Sequence, residues 1–265
     1  MVDELLHLRV LSAIVGIPVI IVAAWYGSWV LWLLTFMFFF FAAREITVIL
    51  KGLGLKPARW IIQIGGLITF AGAYLYNDET LGLAFVSLVI ANLLMMALLY
   101  PRTMPVDIFG NLFAIFYLSN FIFFYLTRGL ENGFVWILLL LSATWASDTF
   151  AYFVGRSIGR HKLAPVLSPK KTVEGAVGGL FGSALVSFLF VQWVPSLPLL
   201  PVLLLGVLIG IASLLGDLVE SALKRQADIK DSGHMIPGHG GVLDRFDSLL
   251  FTAPLVYYSV KLFII

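Results

Sequence analysis

The chain has 265 residues, 60% hydrophobic and only 12% charged, with 22 Phe and a mean hydropathy of +1.00, which excludes a soluble domain and defines an integral membrane protein. A net charge of +2 without a basic stripe excludes nucleic acid as a partner. With no Cys there is no disulfide framework, thiolate metal site or cysteine nucleophile, so a metal would need oxygen or imidazole ligands, which favours Mg2+ or a similar hard cation.

A hydrocarbon core of about 30 Å is crossed by about 20 helical residues. Apolar runs of roughly this length recur at 10–26, 29–43, 60–76, 81–100, 108–126, 135–154, 173–194, 199–218 and 249–265. Backbone polar groups in lipid must be paired within their own segment, so the runs are helices. The expected fold is therefore all-α: a polytopic membrane protein with about nine transmembrane helices forming one integral membrane domain over 1–265. Its N-terminal half is mainly scaffold and its chemistry lies in 145–250. The second run is short unless its helix continues past Arg44 and Glu45. The first is read as a retained span, because Asp3 and Glu4 precede it and a signal peptide favours a basic n-region.

Nine spans place the N-terminus and the loops after the even-numbered runs on one side. That side holds Arg9, Arg44, Lys51, Lys56, Arg59, Arg102, Arg156, Arg160, Lys162, Lys170, Lys171, Lys224, Arg225, Lys230 and Arg245; only Arg128 and Lys261 of the 17 basic residues fall elsewhere. Such a bias predicts the N-terminus and the basic loops in the cytoplasm. Loops on the opposite side are a few residues long, and Trp25, Trp29, Tyr74, Tyr76 and Trp193 fall at that boundary as interfacial anchors. Glycines four apart in the seventh run (Gly175 and Gly179, Gly178 and Gly182) and the eighth (Gly206 and Gly210) predict close helix packing, in the bundle interior or at a dimer contact.

Ionisable residues inside spans are costly and point to function. Asp148 near the end of the sixth run, Asp217 and Glu220 at that end of the eighth, and Asp244 and Asp247 before the ninth are expected at one depth, where a shared divalent cation would account for them. Asp244 and Asp247, three apart, are expected on one face at the start of the last helix, where they also act as N-terminal acids. Ahead of them Pro237-Gly238-His239-Gly240-Gly241 brings three glycines to a helix entrance, which suits close approach to a phosphate. The loop after the sixth run is basic, as inner loops are, but it also intersperses Gly, Ser and Thr as donors suited to phosphate.

The run Ser221-x-Leu223-Lys224-Arg225-x4-Lys230-Asp231-x-Gly233-x2-Ile236-Pro237-x-His239-Gly240-Gly241-Val242-x-Asp244-Arg245-Phe246-Asp247 resembles the hallmark motif of phosphatidate cytidylyltransferases, also called CDP-diacylglycerol synthases. The stretches from Ser147-Asp148-Thr149 to Gly155 and from Ser168-Pro169-Lys170-Lys171-Thr172 to Glu174-Gly175 are similar to others of that family. The resemblance implies transfer of CMP from CTP to phosphatidate at the inner leaflet. It implies Mg2+ held by Asp217, Asp244 and either Asp148 or Asp247, with Asp217, Asp244, Asp247, Lys224 and Arg245 as catalytic residues. Ser168, Lys170, Lys171, Thr172, Glu174, Ser221, Arg225, Lys230, Asp231, His239, Gly240 and Gly241 are the implied substrate-binding set. A monovalent cation such as K+ and a homodimer also follow from the resemblance. An ion transporter is the rival class, but the acids sit at one end of the spans and no polar trail continues across. The Asp-Gly-x2-Ala-Arg pattern of CDP-alcohol phosphotransferases is absent.

Overall fold

The computed structural model describes the backbone at residues 2–233, 235 and 240–264, and side chains from residue 10 onward within those segments. Its residues fall into two compact units, 1–126 with 223–245, and 127–222 with 246–265.

The first unit begins with α1 (Val2–Tyr26), α2 (Ser28–Gly52) and α3 (Arg59–Tyr76). A 3-10 turn at Asn77–Thr80, α4 (Leu81–Leu99), α5 (Pro105–Ser119) and the start of α6 (Ile122–Arg128) follow. Its interior is aromatic: Phe39 and Phe70 are fully buried with ring centroids 5.5 Å apart, and the Trp32 indole N–H donates to the Phe70 carbonyl at 2.8 Å. The turn between α2 and α3 is held from α5. Asp107 accepts from the Lys56 amide at 2.7 Å and Asn111 from the Ala58 amide at 2.8 Å, which satisfies backbone groups that a membrane environment leaves without water.

The second unit contains α7 (Gly133–Ile158), a hairpin of β1 (Lys162–Ala164) and β2 (Ser168–Thr172), α8 (Val173–Trp193) and most of α9 (Leu199–Gln226). After the short α10 (Leu243–Phe246) come α11 (Leu249–Ser259) and a π turn, Val260–Ile264. The strands pair antiparallel, with Lys162 opposite Thr172 and Ala164 opposite Ser168. The glycines of the seventh and eighth runs do pack helices closely, inside this unit. A Cβ at Gly178 would lie 2.6 Å from the Val154 side chain on α7, and one at Gly210 would lie 3.1 Å from the Leu180 backbone on α8. Small residues let these helices approach to a distance that any side chain would prevent.

The helix boundaries bear on three points of the sequence reading. Among the described residues six stretches are long and apolar enough to cross a membrane: Ser28–Gly52, Arg59–Leu99, Pro105–Arg128, Gly133–Ile158, Val173–Trp193 and Leu199–Gln226, with Val10–Tyr26 and Leu249–Ile264 shorter. The third and fourth expected runs share one stretch interrupted by the 3-10 turn, and the first and last fall short, so helix length does not establish the count of nine. α2 continues through Arg44 and Glu45 for 25 residues. The basic loop after α7 folds into the β1–β2 hairpin, a small departure from an all-α fold. Asp244 and Asp247 do not share one helix start, because α10 ends at Phe246 and Asp247 lies in the turn before α11.

Candidate active site

In the second unit α7, the hairpin, α8 and α9 enclose a cavity of about 550 Å3. Thr172 is part of its lining. As N-cap of α8, its hydroxyl accepts from the Gly175 amide at 3.1 Å, one of the donors a helix start leaves over. Gly175 allows the α7 contact, since a Cβ there would lie 2.8 Å from the Ala151 carbonyl oxygen.

Asp148 from α7 and Asp217 from α9 line this cavity together with Lys171 of β2. Lys171 Nζ is 2.6 Å from Asp217 Oδ2, with side chains 21% and 38% exposed, so the pair is open to solvent or ligand. The Ser221 hydroxyl donates to Asp217 Oδ1 at 3.2 Å and the Ser213 hydroxyl to Asp148 Oδ1 at 3.0 Å. Lys162, Lys170 and Arg156 stand on the same lining, and Arg156 donates to the Tyr152 hydroxyl at 2.7 Å. Four basic side chains beside two carboxylates are the composition expected where a polyanion meets a hard cation. Among the described residues no three His, Asp or Glu converge as a ready metal site. Mg2+ commonly takes one or two carboxylates and completes its shell with water and substrate phosphate, so the Asp148 and Asp217 oxygens fit such an ion.

The other expected residues have different local partners. Glu174, in the first turn of α8, accepts from the Arg160 amide at 3.1 Å and the His161 amide at 3.2 Å, and contacts His161 Nδ1 at 2.6 Å, so it shapes the entry to the hairpin. Ser168 opens β2 and is half-buried. Asp247 is buried, with Oδ1 accepting from the Ser248 amide at 2.7 Å.

In the first unit Asp244 is the centre of a compact polar knot. Its oxygens accept from Lys224 Nζ at 2.7 Å, from the Ser232 amide at 3.0 Å and from the Gly241 amide at 2.8 Å. The Lys224 and Asp244 side chains are 15% and 8% exposed. Gly240 adopts φ +88°, and a Cβ there would lie 2.8 Å from Asp244 Oδ2, so glycine is required on both counts. Arg225, Lys230, Asp231 and Arg245 are exposed. His239 lies outside the described residues, as do Ile236, Pro237 and Gly238. Sequence reasoning missed Glu45. Buried in α2, it accepts from the Val242 and Leu243 amides at 2.9 and 2.7 Å; the available signal was a carboxylate in a helix that has to continue past residue 43 to be long enough for a span.

A helical membrane protein whose cavity sets carboxylates beside lysines and an arginine has the lining expected for phosphorylated ligands. Comparison with known sequences makes the class particular. The model of the cytidylyltransferase family matches residues 7–263. A phosphatidate cytidylyltransferase of Synechocystis sp. is 36% identical over 96% of this chain and 96% of its own. One of Staphylococcus saprophyticus is 34% identical over 95% and 97%, and one of Staphylococcus epidermidis 33% identical over 95% and 97%. The chain belongs to the phosphatidate cytidylyltransferase family and is an enzyme, a nucleotidyltransferase.

Proposed function

We propose that the protein transfers CMP from CTP to phosphatidate, giving CDP-diacylglycerol and pyrophosphate, at the cytoplasmic face of the membrane. The observation that carries this reading is the cavity that joins Asp148, Asp217 and Lys171 in a chain matched end to end by relatives of that name. A phosphate oxygen of phosphatidate attacks the α-phosphorus of CTP. The bond from that phosphorus to the bridging oxygen breaks, and pyrophosphate leaves with the electron pair. No covalent enzyme intermediate is needed; the barriers are repulsion between anions and charge on the leaving group.

Lys162, Lys170, Lys171 and Arg156 supply N–H donors and positive charge for the triphosphate. Asp148 and Asp217 would hold Mg2+, which supplies charge screening and Lewis-acid stabilisation of phosphoryl oxygens. Ser213 and Ser221 orient these carboxylates through the hydrogen bonds above. The motif resemblance adds Lys224 and Arg225 for the triphosphate, Arg245 for the lipid phosphate, a monovalent cation such as K+ and a homodimer. In vesicles containing phosphatidate, the purified protein is expected to release one pyrophosphate per CTP consumed, and none without phosphatidate. Release of CDP in its place would identify γ-phosphate transfer and overturn the proposal.

The cytoplasmic placement rests on the distribution of basic residues and on a count of nine spans. It has a direct test, because the chain has no Cys. Val166, 85% exposed between the hairpin strands, and Glu131, exposed before α7, are suitable sites. In intact cells a membrane-impermeant maleimide is expected to label Glu131→Cys, and to label Val166→Cys only after permeabilisation. The reverse pattern would invert the topology.

A further inference from the structure

Glu45 is a carboxylate in the middle of an apolar helix, 6% exposed, a costly placement that marks a residue with a task. Its oxygens receive three hydrogen bonds. The Val242 amide donates to Oε1 at 2.9 Å, and the Leu243 amide and Ser232 hydroxyl donate to Oε2 at 2.7 and 3.2 Å. All three donors come from one segment, 187 residues or more away in the chain. The segment closes around the carboxylate: a Cβ at Gly233 would lie 2.8 Å from Oε1, and one at Gly241 would lie 2.6 Å from Cδ. Asp244 fastens the same two pieces of backbone, through the Ser232 and Gly241 amides, and also holds Lys224. The backbone that carries Asp244 is therefore tied at two points, one of them supplied by a helix of the supposed scaffold.

We propose that Glu45 is a positioning residue for catalysis: its carboxylate clamps Ser232, Val242 and Leu243 and so fixes Asp244 and Lys224 in their working arrangement. This rests on the reading of the enzyme as a CMP transferase. A glutamine at 45 keeps one acceptor oxygen and turns a donor toward N–H groups that need acceptors. Two charge-assisted bonds are weakened while the helix and its packing remain.

The test uses the full-length protein in phosphatidate vesicles. For Glu45→Gln, kcat is expected to fall about 10- to 100-fold, the range set by loss of hydrogen bonds to a charged group. The KM for CTP stays within about threefold, since the loss is in the transition state. Hydrogen exchange at the Val242 and Leu243 amides should quicken, with α2, α3 and α5 unchanged. Ser232→Ala, which removes one donor and leaves both amide bonds, is expected to lower kcat about threefold, and covers the case of a Glu45→Gln protein that does not fold. Thr47→Val, a buried change on the same helix, should leave kcat within about twofold. The clamp is overturned if kcat of Glu45→Gln stays within about twofold, if exchange at 242 and 243 is unmoved, or if exchange quickens throughout α2, α3 and α5, which marks a general packing role. A wild-type protein that makes no CDP-diacylglycerol would sink the proposed function instead, and the exchange arm still decides the clamp.

Discussion

Replacing Asp217 by Asn is expected to lower CMP transfer by about 100- to 10,000-fold, the scale of losing several kcal/mol of transition-state charge stabilisation. Thermal unfolding should barely move. The two effects separate because of exposure: the Asp217 and Lys171 side chains, 38% and 21% exposed, form a solvent-screened pair that contributes about 0–1 kcal/mol to folding. Asparagine retains an oxygen for the Ser221 hydroxyl, so the shape of the cavity wall survives and only the charge is lost. Turnover and melting temperature, measured on one preparation, check this. Turnover within about threefold of wild type would remove Asp217 from the chemistry.

Asp244→Ala is expected to combine a structural loss with the catalytic loss that the motif resemblance implies. The substitution strands Lys224 as a part-buried ammonium and removes the acceptor of the Ser232 and Gly241 amides. Removing one member of a buried pair costs about 3–5 kcal/mol, and each orphaned amide about 1–3 kcal/mol unless water reaches it. Release of the segment limits the total, so the expected signature is undetectable turnover with a melting point clearly below that of the wild type. Lys224→Met is expected to be milder in stability, because Asp244 keeps its two amide donors and the aliphatic stem is replaced in kind. Thermal melts of the two variants give the order. Lys224→Met as the less stable of the two would contradict this account, as would Asp244→Ala with near wild-type turnover.

Much of this was legible in the sequence because the membrane simplifies the physics: long apolar runs must be helices, and glycines four apart favour close helix contacts. Asp148, Asp217 and Lys171 were legible as candidates because acids are expensive in spans and the basic loop intersperses donors suited to phosphate. Their pairing in one cavity was not, since β2 and α9 are joined only by tertiary structure. Glu45 lies just past the expected run 29–43 but inside the longer α2, and its partners too are joined to it only by tertiary structure. A carboxylate there looks like a boundary until Val242 and Leu243, nearly two hundred residues on, supply its donors. The shared helix face expected for Asp244 and Asp247 failed on local grounds, because the short α10 stops at Phe246. The local role of Glu174, which the resemblance places with the substrate, was not legible either, because its partners, the Arg160 and His161 amides and the His161 ring, come from the entry to the hairpin.

The central claim, CMP transfer and not phosphate transfer, turns on which part of CTP ends in the lipid. The purified protein is incubated with phosphatidate vesicles, Mg2+ and CTP labelled either in the cytosine ring or at the γ-phosphate, and the organic phase is counted. Cytosine label in the lipid, with γ label remaining in aqueous pyrophosphate, is the predicted result. γ label in the lipid, with cytosine left in the aqueous phase, would contradict it.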